Sequence, residues 1–132
     1  MHIGEMAEKS GLSSRTLRHY EAIGLLPPTG RSEGGYRVYT EEDLHRLMTI
    51  RRMKALDYST TEMGRLLELL DIAESDAPEA ERADARAELE ALREDARARR
   101  QKLARQMERA DEFLGILDHR LGCTFLRPGC HA

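Results

Sequence analysis

Over the first 26 residues, apolar positions recur at helical spacing. Ile3, Met6 and Ala7 share one face, Ser10-Gly11-Leu12 interrupts the pattern, and Ser13 or Ser14 can cap a second helix from about Ser14 to Ile23. Gly24 supplies the left-handed residue that ends this helix, and Pro27-Pro28 forbids its continuation. The spacing predicts a helix, a turn containing Gly and a second capped helix, which is the helix-turn-helix pattern. Leu17 falls on the inward face of the second helix, and Arg15, Arg18 and His19 fall on or near the outward one. Basic side chains so placed are free to enter a major groove. The competing reading is a small amphipathic helical pair with solvated arginines.

Residues 31–39, RSEGGYRVY, read as a hairpin: Gly34-Gly35 suits a two-residue turn, and Tyr36, Val38 and Arg37, Tyr39 alternate as strand residues do. A hairpin directly after a helix-turn-helix is a wing. Thr40 caps a third helix with Asp43 three residues on, and Leu44, Leu47, Met48 and Ile50 carry helical spacing to about Ala55. Ser59-Thr60-Thr61-Glu62 is a capping box for a fourth, with an apolar face of Met63, Leu66, Leu67 and Leu70. Arg51, Arg52 and Lys54 cluster just before that box, either as a phosphate contact or as cations favoured at a helix end. Asp76, Pro78 and Glu79 then open a helix with almost no Gly or β-branched residue before Gly115. Its stripe runs Ala85, Leu89, Leu92, Ala96, Arg99, Leu103, Met107, Ala110, Leu114, Leu117 and Leu121, an imperfect heptad that Arg99 alone interrupts. At 1.5 Å per residue this helix is roughly 65 Å long and cannot bury its stripe on so small a head, so it requires a partner helix, most economically from a second copy. A lone charged helix with salt links between turns is the alternative.

Composition narrows the class. In 132 residues with 40% hydrophobic and 34% charged positions there is room for one domain plus an extended element. No run is long enough to span a membrane and no signal peptide is legible, which points to the cytoplasm. The net charge of −3 hides a mild asymmetry: residues 1–56 carry nine Lys and Arg against seven Asp and Glu, and residues 57–132 carry twelve against seventeen. No serine, cysteine or carboxylate has the framed partners of a catalytic site, and Gly34-Gly35 is a turn rather than a nucleotide cradle, so the expectation is not an enzyme.

The opening IGEMAEKSGLSSRTLRHYEAIGLL, the wing RSEGGYRVYTEEDL, the basic turn RRMKALDYSTTEM and the long helix together resemble the MerR family of bacterial transcription regulators. The resemblance spans nearly the whole chain in order and spacing. It implies a mainly α fold in which winged helix-turn-helix heads are carried on an antiparallel coiled-coil homodimer. Its domains would be a DNA-binding head at 1–70, a dimerisation helix at 76–121 and an effector loop or tail at 122–132. It further implies a palindromic operator in an over-long promoter spacer, which an effector-bound dimer distorts so that RNA polymerase engages both promoter elements. By the same resemblance Arg15, Arg18 and Tyr20, with His19 beside them, are expected at bases or backbone of double-stranded DNA. Arg31, Tyr36, Arg37 and Tyr39 are expected to grip phosphates from the wing, and Lys54 and Tyr58 from a second wing.

Eleven residues beyond Leu121 are too few to wall a small-molecule pocket. Gly122 can end the long helix, and Pro128-Gly129 can turn Cys130 back towards Cys123. Two thiolates on one short loop look like the binding loop of the copper and zinc sensors of the family. The family's sensors of divalent zinc or mercury take a further cysteine from the start of the partner's dimer helix, and residues 71–88 hold none, so by this resemblance the pair suits Cu(I), which linear sulfur coordination satisfies. Zn(II) would have to recruit His119, His131 or Asp118. A reversible disulfide and a passenger tail stay open beside metal sensing, while a four-cysteine iron-sulfur cluster is excluded by count. The alternative class is a coiled-coil interaction module, against which stands the co-occurrence of recognition helix and wing.

Overall fold

The computed structural model describes residues 1–26 and 30–122. Helices α1 (Ile3–Ser10) and α2 (Ser14–Ala22) form the helix-turn-helix. Gly11 closes α1 in the left-handed conformation at φ 73°, and the Ser13 hydroxyl accepts from the Thr16 N–H at 3.1 Å to open α2. Gly24, at φ 81°, turns the chain out of α2, and the N–H groups of Leu25 and Leu26 both return to the Tyr20 carbonyl. A hairpin of β1 (Gly30–Arg31) and β2 (Arg37–Val38) follows, then α3 (Glu41–Ala55), α4 (Thr60–Glu74) and α5 (Glu79–Arg120). Reciprocal capping boxes start α3, between Thr40 and Asp43, and α4, between Ser59 and Glu62.

The hairpin departs from the two-residue turn that the glycine pair predicts. Gly30 pairs with Val38 and Arg31 with Arg37, and the Ser32 N–H donates to the Tyr36 carbonyl at 2.8 Å, leaving Glu33-Gly34-Gly35 as a three-residue loop. Only Gly35 takes a positive φ, 79°, as the bulge residue after a tight turn does. Gly34 has no such backbone demand; a Cβ there would lie 2.9 Å from the exposed Tyr36 ring and would displace it.

The head is built on Met6, Leu17, Tyr20, Leu25, Leu26, Tyr39, Leu47, Ile50, Met53, Met63 and Leu67, all buried together. Two arginines fasten polar backbone to this core. Arg51 Nη1 donates to the Ser10 carbonyl at 3.0 Å, so it stabilises the end of α1 and the turn after it. Arg46 Nε donates to the Leu25 carbonyl at 3.1 Å and its Nη1 reaches Asp71 at 3.4 Å. On α4 Leu67 faces the main core, while Leu69, equally buried, faces with Ala85 of α5 a common cleft outside it, and Leu70 is only half-buried. Helix α5 starts at Glu79, with the Pro78 carbonyl accepting from the Arg82 N–H at 3.1 Å, so Asp76, the first residue of the opening signal, lies outside it.

The chain divides into two compact units, Met1–Glu90 and the residues from Ala91 on. In the second, Leu103, Met107, Leu114 and Leu117 stand exposed along α5, and Leu121 just after it. Among the described residues no helix is long and apolar enough to cross a membrane.

Candidate nucleic-acid interface

On α2 the periodicity separates two jobs. Leu17 and Tyr20, three residues apart, turn inward and anchor the helix, while Arg15, Arg18 and His19 are exposed on the opposite side. Two open clefts flank the exposed face. One, of about 590 Å³, brings Arg15, His19 and Tyr20 of α2 beside Lys54 and Tyr58 of the α3–α4 turn. The other, of about 370 Å³, brings Arg18 beside Tyr36 and Arg37 of the hairpin and His2 ahead of α1. The α3–α4 turn is shaped by Asp57, which holds a left-handed φ of 64° and donates its N–H to the Lys54 carbonyl. Tyr58 is half-buried against the core and Lys54 is exposed.

Eight of the ten residues expected at DNA therefore line these two clefts, three in one and five in the other. Tyr39 does not. It is 1% exposed, and its hydroxyl is buried without a hydrogen-bond partner. Strand β2 ends at Val38, so strand alternation no longer directs Tyr39, and its ring turns into the core while its N–H donates to the Met1 carbonyl at 2.7 Å. Tyr20, only 4% exposed, is likewise chiefly an anchor, as its spacing from Leu17 requires. Arg31 stays exposed on β1 but outside both clefts. Cys123, Cys130 and His131 lie outside the described residues. Among the described residues no cluster of His, Cys, Asp or Glu is suited to hold a metal ion.

Two residues at this surface were not singled out by sequence reasoning. His2 meets the Tyr36 ring edge to face, with centroids 6.0 Å apart. Glu21, on the last turn of α2, ion-pairs Arg37 and approaches Arg31 at 4.0 Å. It sits inside the RHYE motif, three residues from Arg18, but a carboxylate amid cations gave no reason to expect it at an anion-binding face.

Burial, and next the charge of Glu21, push the Tyr39 hydroxyl above its ordinary pKa, with Arg37 opposing. The folded state therefore holds this proton more tightly than the unfolded chain does. The resulting stability is present below about pH 10, the unfolded value, and is lost as pH rises through the folded value. Tyr39→Phe should leave DNA affinity unchanged, raise stability by up to about 1 kcal/mol through loss of an unpartnered hydroxyl, and flatten the alkaline arm of the unfolding curve. A fall in DNA affinity at unchanged melting temperature would restore Tyr39 as a contact.

A helix-turn-helix with a hairpin wing, presenting arginines from one helix between two flanking clefts, defines the winged class of DNA-binding folds. The family model for MerR helix-turn-helix regulatory proteins matches residues 1–70. The chain belongs to the MerR family, whose members are DNA-binding transcription regulators and not enzymes. It is 55% identical over 69 residues to an uncharacterised helix-turn-helix transcriptional regulator of Pseudomonas aeruginosa, covering 52% of each chain. The match thus spans about half the length of the curated relatives. A MerR-family regulator lacking the sensor domain, solved bound to promoter DNA, is 30% identical with a TM-score of 0.60 over 91% of this chain and 86% of that one. A transcription regulator of Ralstonia metallidurans solved in complex with lead(II) is 35% identical, with a TM-score of 0.55 over 98% of this chain and 94% of that one.

Proposed function

We propose that the protein is a homodimeric transcription regulator that binds a palindromic operator within a promoter spacer and activates by distorting the DNA when an effector binds. The observation that carries this reading is the exposed Arg15, Arg18 and His19 face of α2, flanked by the two clefts. In this reading residues 1–70 form the DNA-binding head, 76–121 the dimerisation helix and 122–132 the effector segment. Arg15, Arg18 and His19 approach base edges. Arg31, Tyr36, Arg37, Lys54 and Tyr58 contact the backbone, with Tyr20 at the edge of the cleft. The exposed apolar stripe of α5 supports pairing with a second copy, and its antiparallel orientation follows the family resemblance. RNA polymerase responds to the altered DNA, and the site of action is the cytoplasm.

Cations on phosphates supply salt-dependent affinity that is largely blind to sequence, while α2 and the cost of deforming the spacer supply selectivity. A duplex selected by the protein from a random library should bind Arg18→Ala more weakly by about 1–3 kcal/mol, the worth of one good base contact. Equal affinity in a salt-matched titration would remove Arg18 from the interface, and a library yielding no preferred sequence would favour a coiled-coil interaction module.

The effector we propose is a soft metal ion, Cu(I) before Zn(II), held by the thiolates of Cys123 and Cys130, with His131 as a further donor. Two thiolates suit linear coordination, and the likeness to the lead(II)-bound regulator supports a metal-responsive role. Titrating reduced protein with each ion should raise a thiolate-to-metal absorption band that Cys123→Ser, Cys130→Ser abolishes. An absent band, with operator binding indifferent to metal, would turn the search to reversible thiol oxidation.

A further inference from the structure

We propose that Glu21 is the positioning residue of the wing: its carboxylate sets where Arg31 and Arg37 stand relative to the recognition helix and so sharpens discrimination between operator and bulk DNA. The proposal rests on the DNA-binding reading above.

Arg31 and Arg37 are directly opposed in the hairpin. Like charges directly opposite one another destabilise a strand pair, and a ribbon of two short strands is marginal without support. Glu21 offsets both weaknesses from outside the hairpin. Its Oε2 ion-pairs Nε of Arg37, and its Oε1 lies 4.0 Å from Nη2 of Arg31. Arg31 Nη1 meanwhile donates to the Gly35 carbonyl at 3.0 Å, across the loop. One carboxylate thus joins both strands and, through Arg31, the loop tip to the last turn of α2.

The Glu21 side chain is only 17% exposed, so this contact is less screened than an ordinary surface ion pair. Two guanidiniums share this one carboxylate, and their donors outnumber its acceptors, which leaves some for phosphate. What the carboxylate adds is direction, because the Arg37 guanidinium is aimed by a group on the recognition helix and Arg31 is drawn towards the same group.

Removing that charge has two opposed consequences. One negative charge leaves the DNA-facing surface, which raises affinity for any duplex. The wing also loses its anchor, which costs contacts only on DNA whose shape receives the wing in register.

The test compares wild type and Glu21→Gln on two duplexes, one selected by wild type from a random library and one of scrambled sequence, across a salt series. For the selected duplex, affinity should fall about ten- to a hundredfold, as for the loss of an ion pair largely withdrawn from water. For the scrambled duplex it should hold or rise, and amide exchange at Ser32 and Tyr36 should quicken. Affinities that rise together would overturn the proposal, leaving Glu21 a mere repelling charge. Affinities that fall together with a lower melting temperature would overturn it in favour of a purely structural role. If Glu21→Gln does not fold, Glu21→Asp, which keeps the charge but draws it back by one methylene, should lose part of the discrimination at normal melting temperature; an unchanged ratio there would overturn the proposal. A wild-type selection without a preferred sequence would overturn the DNA-binding reading itself, before any variant is made.

Discussion

Leu114→Glu should halve the particle mass measured by light scattering while leaving the helical circular dichroism signal almost intact. Leu103, Met107, Leu114 and Leu117 of α5 and Leu121 just after it follow one another in steps of three, four and seven, and all are exposed, Leu114 at 54%. Helical spacing gathers them into one stripe, and the proposed dimer buries it. A leucine buried on pairing contributes about 1.5–3 kcal/mol, and in a homodimer each substitution counts twice. A glutamate in the seam adds the cost of an unpaired charge in apolar surroundings. A combined loss of about 5 kcal/mol or more raises the dissociation constant by several thousandfold. Glutamate is itself a good helix former, so the change acts on pairing and not on helicity. Operator affinity should collapse with the dimer, because two linked heads bind a two-fold site at high effective concentration and separate heads do not. Ile116→Glu is the control. Ile116 is as exposed as Leu114 but sits two residues on, about 200° round the helix, so its variant should remain dimeric. A dimeric Leu114→Glu, or equal damage from Ile116→Glu, would show that the seam lies on another face.

What could be read from the chain before its structure divides along a physical line. Short-range signals were legible. Ser13, the Thr40–Asp43 box, the Ser59–Glu62 box, Gly11 and Gly24 act on backbone within a few residues, and each does in the fold what its local chemistry dictates. The recognition face was legible too, because helical period alone sends Leu17 inward and Arg18 outward. The failures sit where an element ends or where a side chain answers to a distant partner. Alternation is a rule for strand residues, and Tyr39 falls one residue past the strand. Gly34 and Gly35 form a visible pair, but only Gly35 serves a positive φ, whereas Gly34 has no such backbone demand. Arg51 was legible as a cation near a helix end, though the end it serves is that of α1, 41 positions earlier in the chain. Glu21 carries no local signature at all, since its partners lie across a turn and a hairpin.

Leu17→Ala and Arg18→Ala alter neighbouring residues of one helix and should fail in opposite ways. Leu17 is fully buried among the head's apolar side chains. Truncating a buried leucine costs about 2–5 kcal/mol, the spread reflecting how far the surroundings collapse into the cavity. Collapse here is restricted. Arg51 holds the turn before α2, and the N–H groups of Leu25 and Leu26 hold the chain after it, so both ends of the helix are tied. The cost should therefore fall in the upper part of that range, with a melting temperature lower by roughly 10 °C or more. DNA affinity should follow the fraction folded and recover on cooling or in a stabilising osmolyte. Arg18→Ala removes an exposed side chain and should leave melting almost unchanged, while its loss of operator affinity persists at every temperature. A Leu17→Ala protein that melts normally yet binds poorly would mean that this residue acts on DNA through the pose of α2 and not through the stability of the head.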